Sequence, residues 1–549
     1  MKPTKTSSSL ARRFTLPLTL LLLTSFAFPS MSFGQASRGA GQQRQGVLGQ
    51  RNANAKGGAA NARNAAAPKA AAPAVPAAQP APQGGKPAVN VAGSQKESCV
   101  LKSSHKAGAA DVVEVTLEAS GEALQTNQEG KTDRSEMEVV AGFKYEERYD
   151  RYSPTGAIRT YRRYEQAGVK RKLGANVVRS LLDSSRKFVV SEYDGKKTRV
   201  YSAAGPMKDE QYALINELPF NTILLDRLLP NREVKLGEDW TIPNDLVVAA
   251  FGVDAIENNT LHLTLTSIAD DVAEIELYQV GEKDAQGAET PSTLVCASEG
   301  ASIGLDLEGK FQFDLTTNRI TWFGLHIDER RSESVATPGL KWSATFKVTI
   351  APLAEPEKLT DDVVAPLAGE PKPEQLLLYY NGQKGPWKFQ HSRRWKLIED
   401  AEKTTSLCYL DGGEAIAQCN ILSNGKIDLA TKPSLAGYKD EIKKGLGERF
   451  AEFKQEAEYE GVDEVSVYYV VADGSYDELP FRWIYYLVTD KDGNQATIMF
   501  ELRADFLDKY DDSGNEIVES FRLRDRNAAG VREDLENAAA NGATGVPAK

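Results

Sequence analysis

Leu479-Pro-Phe-Arg-Trp-Ile-Tyr-Tyr-Leu-Val-Thr489, then Asp490-Lys-Asp-Gly-Asn494, then Gln495-Ala-Thr-Ile-Met-Phe-Glu-Leu-Arg503 is the stretch that decides how the C-terminal half of this chain folds. Aromatic and β-branched residues on both sides of a segment with turn chemistry spell a β-hairpin. Its arms are too apolar for a strand with one wet face, which puts the hairpin in the middle of an antiparallel sheet covered on both sides.

Outward from the hairpin, Pro386-Trp-Lys-Phe389 and Trp395 open the unit, and strands are expected over 404–410 and 415–422, joined through Asp411-Gly-Gly413. After Ser434, the residues Leu435, Tyr438, Ile442, Leu446, Phe450 and Phe453 recur at three and four positions, which predicts one helix with an apolar face. Gly445 and Gly447 weaken it by roughly 1 kcal/mol each. A strand over 464–472 and a closing segment over 506–522 complete the unit.

Trp395, the long helix, Val465-Ser-Val-Tyr-Tyr-Val470, Trp483-Ile-Tyr-Tyr-Leu487, Gly493-Asn-Gln495, Phe500, Phe506 and Ile517-Val-Glu-Ser-Phe521 follow in an order that resembles the PsbP-like domain. That fold is shared by photosystem II extrinsic proteins and a Ran-binding nuclear import factor. The resemblance covers about residues 387–525. It implies an α/β/α sandwich with an antiparallel sheet, and an interaction or assembly module, since known members bind partners and do no chemistry. Their particular partners are not carried over, because this chain fuses the unit to a long N-terminal region.

That region begins with Lys2, Lys5, Arg12 and Arg13, an apolar run from Phe14 to Phe28, and small residues at Gly34 and Ala36. Residues 1–36 read as a secretory signal peptide with cleavage after Ala36, so the protein is expected to be exported, periplasmic or extracellular. No other apolar run approaches 18 residues, so no transmembrane span is expected in the mature chain. Residues 37–97 are rich in Ala, Gly, Gln and Pro and read as a disordered tether. Of the 66 basic residues, four lie in the leader and eight between 37 and 96, where there is no acid; the body keeps 54 against all 77 acids, about −23. Such a body excludes nucleic acid as a partner class, while the basic tether suits either a weak contact with an anionic envelope surface or a plain spacer.

From 98 to 352 the chain is strand-rich. Strands are expected over 111–118, 143–152, 157–165, 187–193, 197–202, 234–240, 261–268, 273–280, 301–307, 310–315, 319–330 and 342–350. A helical hairpin over 207–217 and 221–229, ended by Pro230, interrupts them and sets a division near 206–230. The fold class is α+β, either two similar halves or one antiparallel curved sheet wrapping the helices. The arrangement resembles the open half-barrel lipid carriers of bacterial envelopes, which implies a lipid or other apolar ligand. A Pro- and acid-rich linker over 353–375 leads into the C-terminal domain, 376–525, and 526–549 form a disordered tail.

Four cysteines, Cys99, Cys296, Cys408 and Cys419, make no CxxC. In an oxidising compartment Cys408 and Cys419 are the natural disulfide pair, provided a bulge or longer loop offsets a tight turn; Cys99 with Cys296 is the remaining combination. Tyr149, Arg151, Tyr152, Arg159, Tyr161, Arg162, Arg163 and Tyr164, with Lys170-Arg-Lys172, read either as a face for an anionic ligand or polysaccharide or as a solvated strand beside an apolar one. Gly300-Ala-Ser-Ile-Gly304, with Asp306, Asp314 and His326, has the residue order of a Ser hydrolase, but strand residues follow where the nucleophile elbow needs a helix. Asp490, Asp492, Asn494 and Glu501 match EF-hand positions, yet Gln495 stands where that loop needs Gly. His105, His262, His326 and His391 are scattered, without ligand spacing, and read as surface or satisfied residues.

Non-catalytic binding or assembly of a protein or envelope component is the function these features favour, with no enzyme activity, cofactor or metal site expected. A periplasmic carrier holding a lipid or other apolar ligand in the curved N-terminal sheet is the alternative, and a Ser hydrolase comes third.

Overall fold

The computed structural model describes residues 86–524, except Ala92, 127–130, Glu217, Pro219, Asp254, 284–288, 291–292, 299–300, 335–337, Gln383, 412–413 and 462–463. The segments expected as a signal peptide (1–36) and a disordered tail (526–549), and most of the one expected as a tether (37–97), therefore lie outside the described residues.

Strict alternation builds the N-terminal sheet. In β1 (Ala110–Thr126), Val113, Val115 and Leu117 are buried while Glu114, Thr116 and Glu118 face out, the period of two that a strand with one wet face demands. The strands that follow are β2 (Thr132–Ser153), β3 (Gly156–Leu173), β4 (Phe188–Tyr193), β5 (Thr198–Ser202), β6 (Asp239–Thr241), β7 (Leu261–Ala269), β8 (Val272–Gln279), β9 (Ala301–Asp314), β10 (Arg319–Arg331) and β11 (Gly339–Leu353). They run in the order β5-β4-β3-β2-β1-β11-β10-β9-β8-β7-β6, with three short strands paired off this path, in one open 14-stranded sheet. The molecule is strand-rich, its sheets are antiparallel and unclosed, and its class is α+β.

Two expectations are corrected in this sheet. The strands predicted over 301–307 and 310–315 are the single β9; Gly309 makes no turn, and a Cβ there would press within 3.3 Å of Gly324 O and Leu277. Of the helical hairpin, the first half is α1 (Asp209–Asn216), but the second is a 3₁₀ segment, Thr222–Leu228. Asn221 caps it, and Pro230, which disfavours the α conformation in the residue before it, closes the segment two residues after its end. Leu214 and Ile215 of α1, Ile223, Leu224, Leu225 and Leu228 of the 3₁₀ segment, and Leu246, Val247 and Phe251 of α2 (Asn244–Phe251) all join one core with Phe311, Phe323 and Phe346 of the sheet.

The Pro- and acid-rich segment expected as a linker lies against β2–β5. Glu146 accepts the backbone N–H groups of Glu357, Lys358 and Leu359 at 3.1, 2.8 and 3.0 Å. Arg159 donates to the carbonyls of Leu367, Ala368 and Gly369 at 2.6, 3.2 and 2.9 Å. Leu359 and Val364 are buried with Tyr161, Val190 and Tyr201.

The C-terminal sheet comprises β12 (Trp395–Asp400), β13 (Thr404–Asp411), β14 (Glu414–Lys426), β15 (Phe450–Glu460), β16 (Ser466–Tyr476), β17 (Leu479–Thr489) and β18 (Asn494–Arg503), in the order β12-β13-β14-β18-β17-β16-β15. The β17–β18 hairpin is central, as its lettering requires. Its turn is held by Asp490, whose carboxylate accepts the N–H groups of Asp492 and Asn494 at 2.9 and 2.8 Å, and by Gly493 at φ +81°, where a Cβ would stand 2.3 Å from Ile427 O. One face packs Trp483, Leu487 and Val470 against Tyr438, Ile442 and Leu446 of α3 (Leu435–Leu446). The other packs Ile498, Phe500 and Trp395 against Phe506, Tyr510, Ile517 and Phe521 of the closing segment.

The long helix ends earlier than predicted. Gly447 turns at φ +57° after Leu446, and Phe450 and Phe453 belong to strand β15. They still pack on the same core, beneath Lys443 and Lys439 at 5.5 and 4.9 Å, so the apolar period ran on across a break in the backbone.

Candidate functional site

The seven-stranded sheet stops at β15, which pairs with β16 and with no other strand among the described residues. Two bulges distort its first half, between Phe450 and Glu452 and between Phe453 and Gln455; from Gln455 to Glu460 the register is unbroken. Most of its residues are exposed, and its other edge offers the unpaired N–H and C=O groups of a strand terminus to a sheet. Register sets what each face carries. Glu458 and Glu460 share a face with Tyr468 and Ser466, whereas Tyr459 and Ala457 share the opposite face with Val467 and Tyr469, and through them with Tyr486.

On that second face Tyr469 and Tyr486 lie 5.1 Å apart between ring centroids, Tyr469 donates to Gln455 at 3.0 Å, and Tyr459 is 43% exposed. Burial raises the Tyr459 and Tyr469 phenols above their ordinary value, and the nearby carboxylates of Glu519 and Asp512 add to it. Glu452 pairs with Lys454 at 2.5 Å and Glu456 pairs with Lys439. The strand thus presents carboxylates on one face, phenol rings on the other and a free backbone between them.

The most concentrated buried chemistry lies elsewhere. His105 has Nδ1 2.7 Å from Asp226 Oδ2 and Nε2 2.9 Å from Asp111 Oδ2, and it stacks on Tyr149 at 4.2 Å. Tyr149 and Arg319 also donate to Asp111, at 3.0 and 2.8 Å, and Tyr152 donates to Asp226 at 2.6 Å. Burial opposes the charged ring, but hydrogen bonds to Asp111 and Asp226 outweigh it and raise its pKa to about 9. Ser103 Oγ is 3.0 Å from His105 Nδ1. An imidazolium held between two carboxylates has no lone pair for a hydroxyl proton, so the group is a clasp joining β1, β2 and the 3₁₀ segment. No signal in the sequence marks it, because Asp226 is remote in the chain.

No family model matches the chain, and no curated protein matches it. Among solved structures, cyanobacterial PsbP from Synechocystis sp. PCC 6803 covers 28% of this chain and 98% of its own length at 16% identity, with a TM-score of 0.22. Lipovitellin covers 46% of this chain at 8% identity and a TM-score of 0.27, and the chain spans about a quarter of it, 26%. The immunity protein TplEi of the T6SS of Pseudomonas aeruginosa covers 48% of this chain and 95% of its own length at 10% identity and 0.18. These likenesses are weak and concern fold alone.

The remaining sequence-predicted residues are dispersed. Cys408 stands opposite Gln418 and Cys419 opposite Leu407, which turns the two side chains to opposite faces of the sheet. The expected bridge is not formed, and all four cysteines are buried outside any disulfide. In the basic, aromatic hairpin, Tyr149, Arg159, Tyr161, Arg162, Tyr164 and Arg171 are buried, against the ligand-face reading. Glu147, itself buried, accepts from Arg162 at 2.8 Å and from Thr160 at 2.9 Å, and Glu192 lies 3.2 Å from Arg159. The 3₁₀ segment covers one face of this hairpin and the 353–375 strap the other; of the named residues, Arg163 and Lys170 stay exposed, Arg151 is half-exposed, and Tyr152 and Lys172 are partly buried.

His326 stands opposite Glu308, six residues along β9 from Ser302, about 20 Å at strand rise, so the two form no catalytic pair. Asp314 is spent on the N–H groups of Thr316 and Thr317. Asp490 and Asn494 hold the hairpin turn, and no cluster that could hold a metal occurs among the described residues. The other histidines are apart: His391 faces Asp209 at 3.3 Å, and His262 pairs with Tyr278 across β7–β8. Between the sheet and α1, a cavity of about 20 Å³ lined by Leu117, Phe143, Val169 and Leu214 has room for roughly one water. No helix among the described residues is long and apolar enough to cross a membrane.

Proposed function

We propose that the chain is an exported, non-catalytic binding or assembly protein of the cell envelope, with the PsbP-like sandwich of residues 376–524 as its contact module and the curved N-terminal sheet as its support. The open edge of β15 carries this reading: a regular run of backbone beside a half-exposed tyrosine face is what strand addition by a partner uses. Elsewhere the charged groups of the interior are bonded to one another, as in the His105 clasp and the Glu147–Arg162 pair. The inner side of the large sheet is filled by α1, α2 and the 3₁₀ segment, which favours a scaffold over a lipid carrier. A body charge of about −23 speaks against nucleic acid.

The test is a photo-reactive amino acid placed at Tyr459 or, as a control, at Arg163, with the chain expressed in its own host. A discrete polypeptide adduct from position 459 and none from 163 is expected. Equal adducts from both positions, or a lipid and no polypeptide travelling with the purified protein in native mass spectrometry, would overturn the reading.

A further inference from the structure

We infer that β15 takes up an extended, Lys- and Arg-rich polypeptide segment as an eighth strand of the C-terminal sheet, its cations held by Glu458, Glu460 and Glu519 and its stems laid across Tyr459, Tyr469 and Tyr486. The inference rests on the contact reading above and names the chemistry of the partner.

Three observations carry it. The unbroken register of 455–460 supplies a straight backbone edge, and an added strand must point successive side chains to alternate faces. One set then meets Glu458 and Glu460, which make no ion pair among the described residues, because Lys454 and Lys439 are taken by Glu452 and Glu456. Lys432, on that face, is engaged by Ser466 and by the ring of Tyr468 at 4.3 Å. The other set meets phenol rings with Glu519 and Asp512 beside them, an environment that attracts ammonium and guanidinium groups by ring quadrupole and by charge. An acidic segment would be repelled there, and the charge of the body draws cationic segments in. An edge kept only from mispairing needs charge alone; a tyrosine left 43% exposed near the end of its regular run is the mark of an edge that is used.

The test uses the full chain and a fluorescein-labelled peptide of alternating Lys and Val with the length of β15, followed by anisotropy at low and high salt. Controls are the same peptide with Glu for Lys, and the Lys peptide methylated on alternate backbone nitrogens. The Lys peptide should bind, the Glu peptide should not, and either Tyr459→Ala or the pair Glu458→Gln and Glu460→Gln should weaken binding about tenfold or more with unchanged melting temperature. Methylation should cost as much. Variants that bind like the parent would mean that the acidic body at large holds the peptide, and a methylated peptide that binds equally well would rule out strand addition; either result overturns the inference. If the Lys peptide fails while position 459 still cross-links a polypeptide in the host, the cationic partner is wrong and the contact reading stands; if both fail, both fall.

Discussion

Two strands of this molecule alternate tyrosine with charge, and they meet opposite fates. In β3, Arg159-Thr-Tyr-Arg-Arg-Tyr164 places Arg159, Tyr161, Arg162 and Tyr164 almost wholly out of water. In β15, Gln455-Glu-Ala-Glu-Tyr-Glu460 stays at the surface. The difference lies in what else the chain brings. Glu147 and Glu192 meet the guanidinium groups of β3, the 3₁₀ segment covers one face and the 353–375 strap closes the other. Among the described residues only one strand meets β15, and its Glu458 and Glu460 make no ion pair. Charge and aromaticity in a strand thus set which groups need partners; remote segments decide whether those partners are internal.

Breaking the buried side of this contrast should have the largest effect. Glu147→Ala leaves Arg162 buried without its carboxylate and should lower unfolding free energy by about 3–5 kcal/mol, read from urea denaturation. Next is the His105 clasp. Its folded pKa, about 9, lies above the unfolded 6.5, so its contribution is complete below pH 6.5 and is lost as pH rises through about 9. At 1.36 kcal/mol per pH unit that is about 3 kcal/mol. Denaturation on either side of this window should show the loss in the parent and not in His105→Ala.

Glu146→Ala removes the acceptor of three strap N–H groups and should raise hydrogen exchange locally over 357–368, by about 1–3 kcal/mol of protection, with little change in the global transition. On the exposed side, Tyr459→Ala should alter stability by no more than about 0.5 kcal/mol. Reductant should do nothing at all. Four thiols should react after unfolding and none before, since burial pushes Cys99 up to about 11 and Cys296 up to about 12 and holds Cys419 well above its ordinary value; two reactive thiols after unfolding would restore the Cys408–Cys419 bridge.

How far these features could be read from the sequence follows from their range. The β17–β18 hairpin, the strand alternation of β1 and the apolar stripe of α3 are local patterns, and they appear where the lettering places them. The apolar period predicts a helix longer than α3 because Phe450 and Phe453 keep that period after Gly447 has turned the backbone. The cysteine pairing failed on a question of register: one residue of offset across β13–β14 sends the side chains to opposite faces. The burial of the basic hairpin and the clasp around His105 depend on residues far apart in the chain, which no window on the sequence contains. Of the candidate site, Tyr469 and Tyr486 fall in stretches the lettering marks, whereas Glu458, Tyr459 and Glu460 belong to a strand that no sequence pattern announces, and its place at the end of the sheet depends on pairing remote in the chain.

Hydrogen exchange over 453–460 tests that point most directly, on full-length protein purified with its partner from the host and again after the partner has been stripped away. Fast exchange in the stripped protein and strong protection in the complex, with 159–164 protected in both, is the predicted result. Protection of 453–460 in the stripped protein, or no change there on partner binding, would contradict it.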